Sequence, residues 1–391
     1  MKFILVDSFN LVWNGKTARY NEGVSGSHNA PMYLAEALAK SHDVEIVSTA
    51  NNIVEDTHLN VKYTNFKNFQ PTSCDYIIST NFLTTLDILD KITSYNKLLI
   101  LTHNELFRYG KLLTIDKQKI IICYVSLFAR RNILNLQPFL LNYTSMVLYN
   151  SIDLNDVVKC ESTDLIEKNN LCYFACFDRG YKMTVEILKK LNLDKDYKLY
   201  TNTYYEPCRH LMNDSIIIEN SSKVTVFNYL KKSKYFVYPL INLDNGAVHY
   251  DTFAYVVLEA LLMGVVVIAP KIEVYEELYG DAVCYIDTDD VIAKEDLLNW
   301  KTNPYYKVNH KFGYPILDKY VDKIKELDSN DELRNSYIQK GLLIGEKFSN
   351  IRIAEQLTSS LNYIDKFEKD RICVSGNAEA EKLKKTFDSY K

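Results

Sequence analysis

The sequence lacks the features that would place it among membrane or secreted proteins. Its 391 residues contain no run of twenty uninterrupted apolar residues, so no transmembrane helix is expected. The residues after Met1 form a short strand-like run, which is too brief for the apolar core of a signal peptide. We therefore expect a soluble, cytoplasmic protein, and peripheral contact with a membrane stays open.

Paired cysteine motifs and a strong charge are also missing. The eight cysteines are scattered without C-x-x-C spacing, which predicts free and mostly buried thiols. A net charge of −4 and a pI near 6.0 argue against non-specific electrostatic binding of nucleic acid. Two D-x-D triplets, at 194–196 and 287–289, have no further candidate ligands beside them. The sequence predicts no metal and no other cofactor.

What is present is the composition and pattern of a folded α/β protein. Hydrophobic residues make up 47% of the chain and charged residues 25%, and the length is sufficient for two or three domains. Apolar runs typical of strands alternate with helical stretches such as 31–40, which predicts a parallel, doubly wound sheet. In the first half the expected strands are 3–6, 44–48, 76–79, 98–102, 120–125 and 146–149.

A second series of the same kind follows a polar, acidic stretch at 151–170, which we interpret as the interdomain linker. Two such series predict two Rossmann-like domains that face each other across a cleft. The strands expected in the second half are 171–176, 198–201, 235–239, 265–268 and 283–286. The predicted domains are 1–150, 171–365 and a tail at 366–391 that packs back on the N-terminal domain.

The most informative stretch is HYDTFAYVVLEALLMGVVVIAP at 249–270, called the signature below. Two carboxylates, Asp251 and Glu259, stand eight residues apart, and Glu259 lies within an apolar helical segment that begins near Tyr255. Gly264 suits the left-handed position at a helix C-terminus, and the β-branched run after it is typical of a buried parallel strand. An alternative places Glu259 on the solvent-facing side of an amphipathic helix, although its neighbours offer no polar face.

This order of residues resembles the donor-site signature of the retaining nucleotide-sugar glycosyltransferases of the GT-B fold, family 4. That family usually has Glu-x-Phe-Gly-x-x-x-x-Glu-Ala-x-Ala-x-Gly-x-Pro-Val-Ile. This chain has Asp251 for the first Glu and Ala254 for the first Gly, and it keeps Phe253, Glu259 and Gly264. The resemblance implies transfer of a hexose-type sugar from a nucleoside diphosphate to a hydroxyl acceptor, such as a glycan, a lipid or a protein-linked glycan, with retained configuration and without a metal.

The same resemblance implies roles for individual residues. Asp251 would hold hydroxyls of the donor sugar, and Glu259 would take the ribose hydroxyls. The backbone amides at the helix start would face the diphosphate, because helix N-termini attract anions. The other donor-binding residues of this segment would be Phe253, Ala254, Tyr255, Val256 and Val257.

A loop between the first strand and the first helix contains Gly23 and Gly26. These glycines would let the backbone approach a ligand closely, although their spacing is not the dinucleotide-binding fingerprint. The loop is similar to the Gly-rich loop that lies between donor diphosphate and acceptor in family 4. His28, in the same loop, is a candidate for contact with the acceptor.

Three further candidates follow strands, whose carboxyl ends face the cleft in this class of sheet. His103 follows the strand at 98–102, where the family often has a His near the donor sugar, although a lone His is more often structural. Arg179 and Lys182 lie in the first strand-to-helix turn of the second half. Arg can bind a phosphate through two parallel hydrogen bonds, and Lys supplies a point charge. The alternative is that both side chains are only solvated, as isolated cations in loops usually are.

Two short matches accompany these candidates. Arg179-Gly180 resembles the family's basic-Gly element, and the family's upstream Arg has no counterpart here, since its place falls near Phe174. Before the linker, Asn150-Ser-Ile-Asp153 resembles the family's Asn-Gly-Val-Asp.

Two alternatives to a retaining glycosyltransferase remain. One is another GT-B nucleotide-sugar enzyme, either an epimerase or an inverting transferase, which the anomer of the product would distinguish. The other is a non-catalytic GT-B-like protein that binds sugars or a partner, which the departures at Phe174, Ala254 and Val266 keep open. The nucleobase, the sugar and the acceptor depend on variable loops and are not predicted.

Overall fold

A computed structural model describes most of the chain, and every structural statement below concerns the described residues. They are 1–7, 15–20, 26–48, 55–80, 82–103, 112, 114–158, 169–202, 215–218, 222–241, 249, 251–288 and 315–373.

The strands and helices alternate along the chain. The strands are β1 (Lys2–Asp7), β2 (Asp43–Ser48), β3 (Asp56–His58), β4 (Val61–Asn65), β5 (Thr72–Ser73), β6 (Tyr76–Ser79), β7 (Ile92–Ser94), β8 (Lys97–Thr102), β9 (Ile120–Tyr124), β10 (Thr144–Val147), β11 (Asn170–Tyr173), β12 (Lys198–Asn202), β13 (Ile216–Ile218), β14 (Tyr235–Val237), β15 (Val266–Pro270) and β16 (Cys284–Ile286). The helices are α1 (Gly15–Tyr20), α2 (Gly26–Leu38), α3 (Phe82–Leu89), α4 (Leu127–Leu136), α5 (Leu154–Val158), α6 (Tyr181–Leu191), α7 (Lys223–Lys231), α8 (Tyr255–Leu262), α9 (Glu273–Tyr279), α10 (Pro315–Ser329), α11 (Asp331–Leu343) and α12 (Asn350–Cys373).

The strands form two large sheets. The first has eight strands in the order β10-β9-β8-β6-β1-β2-β4-β3, and the second has six in the order β13-β12-β11-β14-β15-β16. Neighbouring strands are parallel, except that β3 pairs antiparallel with β4 at the edge of the first sheet. Strands β8, β9 and β15 are buried along their whole length, as their continuous apolar sequences predict. The predicted α/β architecture with two doubly wound parallel sheets is confirmed.

The turn from α8 into β15 carries the glycine of the signature. Gly264 has a φ of 73°, in the left-handed region. Its N–H donates to the carbonyl oxygen of Leu261 at 3.1 Å, and the N–H of Val265 donates to that of Ala260 at 3.0 Å. These two hydrogen bonds form a Schellman motif, which ends the helix and requires the left-handed residue. The predicted helix, glycine stop and buried strand are confirmed.

Two predicted segments differ from the structure. The first helix was expected to begin at Pro31, but α2 begins at Gly26 and contains Pro31 in its second turn. Proline is most common at the first helical position, whereas here the helix forgoes one backbone hydrogen bond near its start. The Asn-, Lys- and Tyr-rich sequence from 287 to about 320 matches no motif and predicts irregular structure, yet α10 begins at Pro315, and 289–314 lie outside the described residues.

The two sheets draw on different parts of the chain, from 2–147 and from 170–286. Helix α12 then packs against α2, and the hydroxyl of Tyr76 donates to Asp365. The domain boundaries at 150 and 171 stay predictions, and 374–391 of the predicted tail lie outside the described residues.

Acidic residues of α9 in the second half bind residues of α4 in the first half. Glu277 accepts hydrogen bonds from the backbone N–H groups of Leu127 at 2.7 Å and Phe128 at 2.8 Å, and Glu273 pairs with Arg131. A carboxylate from the second half therefore neutralises the positive end of a helix in the first half. This contact helps to fix the relative position of the two sheets.

Five cysteines are described as free, and all of these except Cys176 are buried. Within the described ranges, no helix combines the length and the apolar character needed to cross a membrane.

A buried carboxylate attaches α10 to the second sheet. Asp328 accepts hydrogen bonds from Lys195 at 2.9 Å and from the hydroxyl of Tyr235 at 2.8 Å, and it also binds Lys234 and Tyr197. Burial raises the pKa of Asp328, but the four donors together outweigh burial and hold this pKa well below its ordinary value. The carboxylate therefore contributes to stability at neutral pH.

We expect Asp328→Asn to lower the free energy of unfolding by about 2–4 kcal/mol at pH 7, because the donors lose their charged acceptor. Since the pKa of Asp328 is depressed by folding, its contribution is complete above about pH 4 and declines as the pH falls further. Urea unfolding at pH 7 and pH 3 should show a smaller difference from wild type at pH 3. The control is Asp318→Asn in the same helix, an exposed partner of Lys190, with an expected effect below about 1 kcal/mol. Equal effects of the two substitutions at pH 7 would contradict this account.

Candidate functional site

The signature lies where the two sheets meet. Thr252 donates from Oγ1 to the backbone oxygen of His103 at 2.7 Å, and its own backbone oxygen accepts from Oγ of Ser126 at 2.8 Å. His103 and Ser126 follow strands β8 and β9 of the first sheet. The carboxyl ends of these parallel strands thus meet the beginning of the signature, which is where α/β proteins bind ligands.

Asp251 is buried in a cluster of hydrogen-bond donors. Its Oδ1 pairs with Nη1 of Arg179, and its Oδ2 accepts from the hydroxyls of Tyr238 at 3.0 Å and Tyr275 at 2.9 Å. Arg179 follows β11, Tyr238 follows β14 and Tyr275 lies in α9, so three elements of the second half converge on one carboxylate. The structure brings together two predicted site residues, Asp251 and Arg179, and adds two tyrosines that the sequence did not indicate.

The charge states in this cluster are fixed by its members. The carboxylate of Asp251 raises the pKa of Arg179 well above its ordinary value, so the guanidinium stays charged. Burial, followed by the charge of Asp251, raises the pKa of Tyr238 and of Tyr275 well above 10. Both hydroxyls therefore remain protonated donors over the whole physiological range.

One edge of Arg179 is left for a ligand. Its contacts with Asp251 and with the hydroxyl of Tyr238 at 3.4 Å both use Nη1. Among the described residues, Nε and Nη2 have no hydrogen-bond partner, and 36% of the side-chain surface is exposed. Two adjacent N–H groups in this arrangement match two oxygens of a phosphate.

The turn around Arg179 has a defined shape. Gly180 has a φ of 115°, and a Cβ on it would lie 3.0 Å from Cδ of Pro239, so glycine is required after Arg179. Lys182 lies in the first turn of α6, with Nζ 5.9 Å from the ring centroid of Phe177. His249, at the beginning of the signature, has Nε2 3.8 Å from Oδ2 of Asp178.

Glu259 points into the protein and is paired there. Its Oε1 contacts Nζ of Lys223, and the two side chains are 4% and 9% exposed. The alternative of a solvent-facing Glu259 is therefore wrong. Oε2 has no hydrogen-bond partner among the described residues. Ser222 caps α7 and fixes Lys223 at its first position, but no sequence pattern linked Lys223 to Glu259.

The beginning of α8 has unpaired backbone donors. Ala254 occupies the N-cap position without a side-chain cap, and the first turn carries no acidic residue. The N–H groups of Val257 and Leu258 return to the backbone oxygen of Ala254, whereas those of Tyr255 and Val256 have no partner among the described residues. This is the environment that the predicted diphosphate site requires. The side chains of Phe253 and Val257 are buried, so a ligand would meet the backbone of these residues rather than their side chains.

Gly26 contacts this helix from the other side of the cleft. It is the first residue of α2, and a Cβ on it would lie 2.8 Å from Cδ2 of Tyr255. The hydroxyl of Tyr255 donates to the backbone oxygen of Ser151 at 2.9 Å, which fixes the ring. The beginnings of α2 and α8 are therefore in contact. Gly23 lies outside the described residues, and of His28 only its place in α2 is described.

We expect Gly26→Ala to destabilise the protein by about 1–3 kcal/mol, because the added methyl overlaps the fixed ring of Tyr255. Alanine is the better helix former by at most about 1 kcal/mol, so the overlap dominates. Urea unfolding measures the difference. In a Tyr255→Ala background the same substitution should be neutral or stabilising, and a loss of stability there would locate the effect elsewhere.

His103 is held as a neutral imidazole. Its Nε2 lies 3.1 Å from Oδ1 of Asn150, and its Nδ1 is buried without a partner. Burial lowers the pKa of His103 to about 4, although the hydrogen bond with Asn150 opposes this shift. With Nε2–H donating to Asn150, Nδ1 is left as a buried acceptor that meets no donor among the described residues.

The depressed pKa of His103 predicts a dependence of stability on pH. Between about pH 6.5 and pH 4 the unfolded chain binds a proton that the folded imidazole does not, so stability falls as the pH falls. This effect of His103 amounts to at most about 3 kcal/mol. Urea unfolding at pH 7, 6, 5 and 4 should show a shallower decline for His103→Gln than for wild type. Identical slopes would mean that folding does not lower the pKa of His103, which would contradict its burial as a neutral imidazole.

Within the described ranges, no group of three or more His, Cys, Asp or Glu side chains is arranged to hold a metal ion. Asp287 of the second D-x-D triplet is described, whereas Asp289 lies outside these ranges. Metal independence stays a prediction.

Comparisons with known proteins show similarity in fold. No protein-family model and no curated protein matches the sequence. Sucrose-phosphate synthase from Thermosynechococcus elongatus matches with a TM-score of 0.62 and 11% identity over 93% of this chain and 98% of that chain. HepE from Anabaena, in complex with UDP and glucose, matches with 0.61 and 11% over 93% and 100%. OtsA matches with 0.61 and 10% over 92% and 98%. These structures are GT-B glycosyltransferases, and the predicted GT-B fold is confirmed.

Proposed function

We propose that this protein is a retaining glycosyltransferase that moves a hexose-type sugar from a nucleoside diphosphate to a hydroxyl acceptor. The observation that carries this proposal is the unpaired edge of Arg179. The carboxylate of Asp251 binds the guanidinium of Arg179 at the carboxyl edge of the second sheet. Asp251 itself lies a few residues before α8, which begins without a side-chain cap. A charged fork and free helix amides together form a site for a diphosphate.

The rest of the donor has partners in the same half. Oε2 of Glu259 is free to accept a hydrogen bond, and ribose offers two neighbouring hydroxyls as donors. Lys182 supplies a further positive charge near the turn that holds Arg179. The fold neighbour HepE holds UDP and glucose, which makes UDP-glucose the first donor to test.

The chemistry follows from these charges. When the bond between the sugar and the diphosphate breaks, negative charge develops on the leaving diphosphate. Arg179 and the first amides of α8 are already oriented towards that charge, which stabilises the transition state without a metal ion. His103 presents Nδ1 as an acceptor for a sugar hydroxyl, and Gly26 lets the first half approach the donor closely.

The acceptor enters from the first half. Helix α2, which includes His28, begins at the point of contact with α8, so a hydroxyl of a glycan, a lipid or a protein-linked glycan would meet the sugar there. We further propose that the protein acts in the cytoplasm and binds no nucleic acid.

Two experiments test this proposal. In the first, UDP-glucose, GDP-mannose and GDP-fucose are compared by thermal shift and by release of free nucleotide. One donor should stabilise the wild-type protein, and Arg179→Ala should abolish that stabilisation. If no donor stabilises the wild-type protein, a non-catalytic GT-B-like protein becomes the better interpretation.

The second experiment identifies the stereochemical course. Proton NMR of the product formed from the selected donor should show the same anomeric configuration as the donor. An inverted anomer would identify an inverting transferase, and an epimerised nucleotide sugar without transfer would identify an epimerase.

A further inference from the structure

We propose that Asp251 is a positioning residue that orients Arg179 for the donor diphosphate, rather than a ligand of the donor sugar. This inference rests on the proposed function and assigns a different task to the first acid of the signature. It also gives a task to Tyr238 and Tyr275, which no sequence pattern singled out.

Both oxygens of the Asp251 carboxylate are already engaged by side chains of the second half. Oδ1 of Asp251 binds Arg179, and Oδ2 accepts from two tyrosine hydroxyls, at 3.0 Å and 2.9 Å. Both lone pairs of Oδ2 are therefore taken, and a sugar hydroxyl would have only the second lone pair of Oδ1, next to Nη1 of Arg179.

Glu259 provides the contrast within the same signature. Only its Oε1 is engaged, by Lys223, and Oε2 has no hydrogen-bond partner among the described residues. Of the two acids, only Glu259 has a carboxylate oxygen that accepts no hydrogen bond from the described residues. The structure therefore separates a ligand-binding acid from a supporting acid.

Asp251 is more deeply buried than Arg179, the residue that it binds. Asp251 lies deep in the cluster, whereas 36% of the Arg179 side chain is exposed, and its contacts with the cluster use Nη1 alone. Fixing one end of a planar guanidinium fixes the direction of Nε and Nη2 as well. An arginine oriented before the ligand binds loses less side-chain freedom on binding.

Calorimetry with two ligands separates the two roles of Asp251. The probes are UDP and UDP-glucose, or GDP and GDP-mannose if the donor panel selects the latter. If Asp251 orients Arg179, Asp251→Asn should weaken the binding of UDP by about tenfold and that of UDP-glucose by the same factor. Tyr275→Phe, which removes one hydroxyl from the cluster, should weaken both by a smaller common factor. Unchanged affinity for UDP with weaker binding of UDP-glucose would overturn the inference.

A double-mutant cycle makes the test independent of general damage to the fold. In an Arg179→Ala background, Asp251→Asn should have no further effect on the affinity for UDP, since the group that it orients is absent. An equal further loss in that background would also overturn the inference. If the wild-type protein binds no nucleoside diphosphate at all, the proposed function itself fails, which is a different result from a loss that affects only the sugar.

Discussion

Arg179→Ala is expected to reduce kcat/KM for nucleotide-sugar turnover by about 10²–10³-fold, because the variant loses a charged donor aimed at the leaving diphosphate. The free edge of the guanidinium, Nε and Nη2, has no counterpart elsewhere in the cluster around Asp251. Initial rates of nucleotide release with the selected donor measure the effect.

Arg179→Lys is the matched control for this prediction. Lysine keeps the positive charge but cannot pair two N–H groups with one phosphate, so an intermediate loss of roughly tenfold is expected. Because either substitution disturbs the partner of a buried carboxylate, the free energy of unfolding must be measured alongside the rates. A well-folded Arg179→Ala protein with wild-type kcat/KM would remove Arg179 from the mechanism.

Lys223→Ala is expected to destabilise the protein by about 3–5 kcal/mol, because it leaves the carboxylate of Glu259 buried and without its counter-ion. The beginning of α7 and the middle of α8 are joined by this pair. Urea unfolding at pH 7 measures the loss, and a change below about 1 kcal/mol would contradict the buried-pair assignment.

The double variant Lys223→Met/Glu259→Met separates stability from binding. Apolar side chains of similar length replace both charges, so most of the stability should return. The same protein should still bind the nucleotide at least about tenfold more weakly than wild type, since the ribose has lost its acceptor. Wild-type affinity in this variant would show that Glu259 does not contact the ligand.

The most accurate sequence-based predictions concern segments whose signals are local. The apolar helix, Gly264 and the β-branched run follow each other without interruption. Each of these three signals favours one kind of structure: a helix, a helix end and a strand. Short strands were missed for the opposite reason. The three residues of β13, for example, form a strand only because β12 lies beside them. Proline at position 31 favoured a helix start there, whereas α2 begins at Gly26, which lies against Tyr255.

The same distinction between local and long-range signals separates the site residues that the sequence identified from those that it did not. Asp251, Glu259 and Arg179 were identified because each stands in a motif with a recognisable neighbour. Lys223 and Tyr238 were not identified, because they meet their partners only through the packing of separate elements. Lys223 lies 36 residues from Glu259 in the sequence. The chain has 30 tyrosines, and nothing in the sequence distinguishes the two that bind Asp251 from the others.

His103 shows how a correct position can have an incompletely predicted environment. The end of a parallel strand placed it at the cleft, and the structure has it there, next to Thr252 of the signature. Its partner Asn150 belongs to the short match before the linker, so both residues were noted separately. Their contact depends on the ends of β8 and β10, which β9 separates in the folded sheet, and a linear pattern does not encode it.

The most direct test of the central claim is a crystal structure of the protein with the nucleoside diphosphate of the donor selected by thermal shift. The account predicts the diphosphate on Nε and Nη2 of Arg179 and on the first amides of α8, with the ribose on Oε2 of Glu259. Asp251 should remain bound to Arg179 and the two tyrosines, without contact to the ligand. A nucleotide bound outside the cleft, or one in the cleft that does not touch Arg179, would contradict the account.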